Sequence, residues 1–270
     1  MEGRLSPLDL RWDIGVDRMF ADFSAHTQGP HMIERHLMKL RARNEISAEE
    51  ESGIRDLVTE VRDYAPDTIL IRAGEELNVS LLLFDGLVAR AHQLSEGERQ
   101  ITELHVPGDF ADVHGFTLKR LDHDVVTMTR CRIAIVPHDR LRTLTEAHPH
   151  LARVYWFGTN LDAAIHRAWE VSLGRRRASP RMAHLFCELH VRLGIVELAT
   201  DEGFSLPLTQ DELADCLGLT AVHVNRTLKE LRERELVEFR SGRVIINDLA
   251  GLRELAEFDP AYLYLEQRER

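Results

Sequence analysis

The stretch Leu208–Lys229, LTQDELADCLGLTAVHVNRTLK, continued by ELRERELVEF, leaves this chain the least freedom. Leu213, Leu217, Leu219, Val224, Leu228 and Leu231 recur at spacings that two short helices can bury together, with Ala214 where the helices must approach. Gly218 marks the corner between them. Thr209 is expected to cap the first helix, with Glu212 completing a capping box, and Thr220 to cap the second. An ordinary helical hairpin with a solvated polar face would tolerate the same side chains. The coincidence of caps, corner glycine, small residue and basic outer face instead favours a helix-turn-helix.

The outer face of the second helix carries the functional expectation. With Val224, Leu228 and Leu231 turned inward, Ala221, Val222, Asn225 and Arg226 are presented where base edges lie in a major groove. Arg226 can pair with guanine through two hydrogen bonds, Asn225 with adenine or a phosphate, and Ala221 and Val222 can touch a thymine methyl. His223 and Lys229, with the caps Thr209 and Thr220, are assigned to backbone phosphates. The following LVEFRSGRVII alternates strand-formers around Ser241 and Gly242, which predicts a hairpin wing with Arg240 and Arg243 at its tip, also placed for phosphate.

A net charge of -11 argues against a protein that coats nucleic acid through bulk basicity. The basic residues gather locally instead, in Arg175, Arg176, Arg177 and Arg181 and then on the second helix and wing, so an acidic body carries one basic edge. The arginine run reads first as a solvated hinge and second as a phosphate contact. Cys131, Cys187 and Cys216 show no paired spacing and read as reduced core residues. No long uninterrupted apolar run and no signal-peptide plan occur, so a cytoplasmic protein with no membrane partner is expected.

Residues 1–30 lack a sustained period and read as a flexible arm that Trp12 and Phe20 could anchor. Residues 31–43 place Met32, Ile33, Leu37, Met38 and Leu40 on one helical face. Ser47 is expected to cap a second helix in which Ile54, Leu57, Val58 and Val61 recur. From Tyr64 to about His138 the pattern alternates, and glycines 74, 86, 97 and 108 fall at intervals of about eleven residues, which predicts an antiparallel barrel or jelly roll with an interior pocket. This β-roll, with its leading helices, takes residues 31–148.

Pro149 opens a long helix to about Arg175. Its Leu151, Val154, Gly158, Leu161, Ile165, Ala168 and Ser172 recur as a coiled-coil seam, so residues 149–177 read as a dimerisation helix. Tyr155, Phe157 and Trp169 lie off that seam, and a helix buried against its own domain is the competing reading. Ser179 and Pro180 then give cap and first position to a helix carrying Met182, Leu185, Phe186, Leu189 and Leu193 inward. It begins a winged helix domain, residues 178–270, which a helix from Asp248 to about Glu257 nearly completes. The whole is of the α+β class.

This order of parts resembles the Crp/Fnr family of bacterial transcription regulators. The resemblance runs from about Thr68 to Leu255, strongest in LTQDELADCLGLTAVHVNRTLKELRERELV and weaker in VPGDFADVHGF. It implies a cyclic-nucleotide-binding-like β-roll and a homodimer on palindromic double-stranded DNA, with half-sites about one helical turn apart. RNA polymerase is a further candidate partner. The sequence departs from the family in three places. Arg226 inherits the base-reading arginine, but Val222 stands where the usual glutamate would, so the operator should differ there. In cyclic-AMP-binding members a Gly-Glu pair and a later Arg-Ser or Arg-Thr pair hold the ligand. Here the positions are Asp112-Val113 and His123-Asp124, and an acidic Asp124 at a phosphate site is unfavourable. The iron-sulfur sensors use clustered N-terminal cysteines, and none precedes Cys131.

A regulator with neither cyclic AMP nor an iron-sulfur cluster is therefore expected, with Asp109, Asp112, His114, His123 and Asp124 as the candidate effector pocket. His105, His114 and His123 suggest zinc or haem, but without HxH or HxxxH spacing they read first as ordinary loop histidines, and no metal is expected. Two other readings compete. A cupin-like metalloenzyme with an accessory winged helix would need closely spaced histidines and a glutamate on adjacent strands, which are missing. An adaptor would use the winged helix to bind protein. No catalytic residue is assigned, and the protein is not expected to be an enzyme.

Overall fold

In the computed structural model, which describes residues 33–95 and 97–268, alternation of apolar and polar side chains resolves into seven short strands. Two helices precede them, α1 (Glu34–Arg41) and α2 (Ala48–Arg55), and the strands are β1 (Glu60–Tyr64), β2 (Ile69–Ile71), β3 (Val79–Asp85), β4 (Val88–Gln93), β5 (Arg99–His105), β6 (Asp124–Thr127) and β7 (Cys131–Pro137). They pair antiparallel in two sheets, ordered β1-β7-β3 and β2-β6-β4-β5. Ile71, Leu81, Leu83, Val88, Val125 and Ile133 draw side chains from both sheets into one core. Gly86 makes the turn from β3 to β4 with φ +91°, and a Cβ there would lie 2.4 Å from the Arg130 carbonyl, so only glycine fits. A single turn of helix, α3 (Gly115–Leu118), interrupts the strands before β6.

Ser47 caps α2 through a reciprocal box with Glu50, as its sequence position suggests. The helix stops at Arg55, however, and Val61 lies in β1 rather than on the helix. Helix α1 packs Ile33 and Leu37 against Leu82, Phe84 and Tyr155, yet it also buries His36 and Lys39. Met32 and the arm with Trp12 and Phe20 lie outside the described residues.

A helix that alternation concealed, α4 (His138–Ala147), follows β7 and precedes the long α5 (Pro149–Arg175). Here the structure corrects the seam. Leu151, Val154, Ile165 and Ser172 are buried within their own chain, while Gly158, Leu161 and Ala168 are half-buried. Tyr155 and Trp169 enter the core as well, and the large apolar side chains that α5 exposes are Trp156, 68 % exposed, and Val171, 54 % exposed.

The C-terminal part comprises α6 (Ala178–Gly194), β8 (Ala199–Thr200), β9 (Gly203–Ser205), α7 (Gln210–Leu217), α8 (Ala221–Glu233), β10 (Val237–Arg240), β11 (Arg243–Ile246), α9 (Leu249–Ala256) and a 3-10 turn, Pro260–Leu263. Its sheet is ordered β10-β11-β9-β8. Ser179 does not cap α6, which starts one residue earlier; its hydroxyl donates to Glu230 Oε2 at 2.6 Å and so ties α6 to α8. No helix among the described residues is long and apolar enough to cross a membrane.

A buried ion network joins these parts. Arg90 of β4 donates to Glu103 of β5 at 2.8 Å and to Asp162 of α5 at 2.9 Å. Arg192 of α6 donates to Asp109 at 3.1 Å and to Glu188 at 3.0 Å, and it stands 3.9 Å from Glu103. Lys39 of α1 also binds Asp109, and Glu188 accepts the Trp169 indole N–H and the Tyr262 hydroxyl. Burial alone would raise the Glu103 and Asp109 pKa values, but the cations facing them outweigh it and hold both carboxyls well below the usual range. Removing one member leaves its partners as uncompensated buried charge. Glu103→Gln is therefore expected to lower the unfolding free energy by about 3–5 kcal/mol in urea denaturation; a loss within about 0.5 kcal/mol, typical of a surface change, would contradict this account.

Candidate functional site

Two surfaces combine chemistry with placement. The first is the helix pair α7 and α8. The Thr209 hydroxyl accepts the Glu212 N–H at 3.2 Å and the Glu212 carboxylate accepts the Thr209 backbone N–H at 2.6 Å, so the capping box is closed. Gly218 ends α7 in the left-handed conformation at φ 58°, and Thr220 starts α8 by accepting the His223 N–H at 3.3 Å. Val224 and Leu231 are fully buried, which fixes the rotation of α8. That rotation leaves Asn225, Arg226 and Lys229 exposed, Val222 82 % exposed, and Ala221 and His223 partly so.

These side chains are arranged without being locked. Arg226 donates to the His223 ring at 3.0 Å, and Asn225 donates to Gln210 of α7 at 3.3 Å. Gln210 is a neighbour that periodicity does not single out, since only the tertiary approach of α7 reveals it. Lys229 stands 3.6 Å from Glu233, an exposed pair that a phosphate could displace at little cost. The wing follows as a hairpin in which Arg240 and Arg243 face one another across Ser241 and Gly242, both with positive φ as a tight two-residue turn needs. Both arginines are exposed. The arginine run behaves differently from one position to the next. Arg175 and Arg177 are exposed, whereas Arg176 donates to the Ala256 carbonyl, and Arg181 donates to the carbonyls of Leu217, Leu173 and Arg176. Arg181 is thus a clasp between α5 and the end of α7.

The second surface is the interior of the β-roll, where the five expected pocket residues separate. Asp109 belongs to the buried ion network. Asp112 accepts the Leu81 N–H at 2.6 Å, and Asp124 accepts the Ala73 N–H at 2.8 Å, so both serve backbone turns rather than a shared pocket. Only His114 and His123 come together, with ring centroids 5.6 Å apart. Arg90 donates to His114 at 3.3 Å, so its buried guanidinium touches one histidine and two carboxylates. Burial and Arg90 push the His114 pKa down to about 3, and burial also lowers that of His123. His105 lies elsewhere, buried 3.9 Å from Glu103. Arg90 and Glu103 escape sequence reasoning because a charged residue inside an alternating strand reads as an outward position.

Residues 180–255 match the family model described as a Crp-like helix-turn-helix domain, and residues 61–148 match the cyclic nucleotide-binding domain. The chain is 28 % identical over 216 residues to the transcriptional activator protein FnrL of Cereibacter sphaeroides, covering 78 % of this chain and 86 % of that one. It is 29 % identical over 178 residues to the nitrogen fixation regulation protein FixK of Azorhizobium caulinodans, covering 64 % and 70 %. The structure of FixK2 from Bradyrhizobium japonicum superposes with a TM-score of 0.67 at 24 % identity, over 74 % of this chain and 98 % of that chain, a likeness of fold.

The pocket geometry has a measurable consequence at Asp112. Burial pushes its carboxyl up to about 7, with the Leu81 N–H and Arg90 opposing. In the unfolded chain it ionises near pH 4, so between about pH 4 and 7 the folded state holds a proton that the unfolded state has released, and its contribution to stability falls as pH rises. Asp112→Asn keeps an acceptor for Leu81 without the charge. It is expected to raise stability by about 1–3 kcal/mol at pH 8, with the gain vanishing toward pH 4, as read by denaturant titration at both pH values. A gain independent of pH would contradict the role given to the charge.

Proposed function

Because this chain belongs to the Crp/Fnr family of transcription regulators and carries their DNA-binding helix-turn-helix, we propose that it acts as a homodimer that reads a palindromic operator. The observation that carries the reading is the exposed face of α8, where Val222, Asn225 and Arg226 stand on a helix whose rotation is fixed by the buried Val224 and Leu231. Arg226 and Asn225 read base edges, Ala221 and Val222 make apolar contact, and His223, Lys229, Arg240 and Arg243 engage phosphate. Thr209 and Thr220 bring helix N-termini to the backbone, though their hydroxyls are already used in capping. The two copies meet along α5, through the half-buried Gly158, Leu161 and Ala168. RNA polymerase is the partner that would turn operator binding into regulation.

The β-roll is proposed not to take cyclic AMP. Asp112 and Asp124, at positions where the family's binders hold ribose and phosphate, are committed to backbone N–H groups, and the buried guanidinium of Arg90 is neutralised by Glu103 and Asp162. An anionic ligand would have to displace those carboxylates in a buried setting, at considerable desolvation cost.

Two substitutions separate base reading from phosphate contact. Arg226→Ala is expected to weaken binding to the preferred operator by about 1–3 kcal/mol and to relax preference at one base position, whereas Arg243→Ala should weaken all sequences alike and reduce the salt slope by about one. The check is equilibrium binding to operator and base-substituted duplexes across salt concentrations. A uniform loss from Arg226→Ala would overturn its base-reading role.

A further inference from the structure

The register of β4 and β6 brings a second group of side chains together beside the pocket. Ala91 lies opposite Asp124 and Arg90 opposite Val125, so one further step sets His92 beside His123, and their ring centroids are 6.1 Å apart. His114 reaches the same place from the turn before α3, its ring 5.6 Å from that of His123. Ligating atoms of His92, Asp122 and His123 lie within 4.8 Å of one another. Asp122 Oδ1 stands 2.9 Å from Nδ1 of His123, which leaves Nε2 of that ring. This Nε2 is buried without a hydrogen-bond partner, in a residue only 7 % exposed.

A buried polar atom with nothing to meet is costly unless a ligand satisfies it. A carboxylate on one imidazole nitrogen with the other nitrogen bare is the arrangement by which metal-ligating histidines are oriented. We propose that His92, His114 and Nε2 of His123 form a binding site for one divalent transition-metal cation of the zinc type, with Asp122 holding the His123 ring from its other nitrogen. Imidazole favours such a cation over magnesium or calcium, which prefer all-oxygen shells. Ligand atoms around a tetrahedral zinc stand about 3.3 Å apart, closer than here. The half-buried His92 is the member free to swing inward. The charge of Arg90 next to the site is offset by its two carboxylate partners. The site revises the sequence expectation of no metal: His105 does not belong to it, and His92, unremarkable within an alternating strand, does.

The test is a Co²⁺ titration of the full chain, freed of metal with a chelator, followed by competition with Zn²⁺. One equivalent of Co²⁺ per chain is expected, with visible absorption of a nitrogen-ligated ion that Zn²⁺ abolishes. His92→Gln and His123→Gln should each weaken Co²⁺ by about tenfold or more. His92 is only half-buried, so His92→Gln keeps the metal-free fold, with circular dichroism and melting unchanged, and remains informative if His123→Gln is unstable. Equal Co²⁺ affinity in the unaltered protein and His92→Gln, or binding without a saturable single equivalent, would overturn the proposal by assigning the metal to scattered surface histidines.

Discussion

The ion network around Glu103 holds the other parts in register. Arg90 joins Glu103 on the β-roll to Asp162 on α5, and Arg192 brings in α6 through its approach to Glu103 and its bond to Asp109, which Lys39 of α1 also meets. Such groups add little net stability, since desolvation nearly cancels their attraction. Their effect is on alternatives: any arrangement that slides α5 or α6 along the roll leaves a buried charge without its partner. The network therefore selects one disposition of roll and helices from the many that apolar packing alone would accept.

That disposition sets where the helix-turn-helix hangs. Arg99 of β5 pairs with Asp215 of α7 at 2.8 Å, Gln100 donates to the Asp215 carbonyl, and Arg181 clasps the last carbonyl of α7 to the end of α5. Helix α7, against which α8 packs, is thus tied to the same strand that carries Glu103. A change in the pocket that moved Arg90 or Glu103 would act on both ties, which gives the β-roll a physical route to the proposed DNA face. Charge completes the arrangement: on a chain of net charge -11, the exposed basic residues of α8 and the wing form the edge proposed to meet the DNA.

What was legible in the sequence was local. Caps, corner glycine and apolar spacing in residues 208–231 are all decided within a turn or two, and the structure bears out that helix pair and its wing. Strand alternation likewise gave the β-roll. Illegible features depend on contacts between distant segments. Lys39 and Asp109 are 70 positions apart, and Arg90 and Asp162 are 72 apart, so neither charge advertises its burial. The heptad-like spacing of α5 correctly signals an apolar stripe, but periodicity does not say which surface the stripe covers, and Leu151, Val154, Ile165 and Ser172 turn to their own chain. Asp112 and Asp124 looked like pocket residues by position, and backbone N–H groups claimed them instead. His92 needed the cross-strand register before it had a neighbour.

The most direct measurement is selection of bound duplexes from a random pool by the purified protein with no effector added. The account predicts enrichment of one sequence with two-fold symmetry, its half-sites about one helical turn apart. Enrichment of a single unpaired half-site would contradict the dimer, and no enrichment, with or without added divalent metal, would contradict the assignment of α8 as a reader of base sequence.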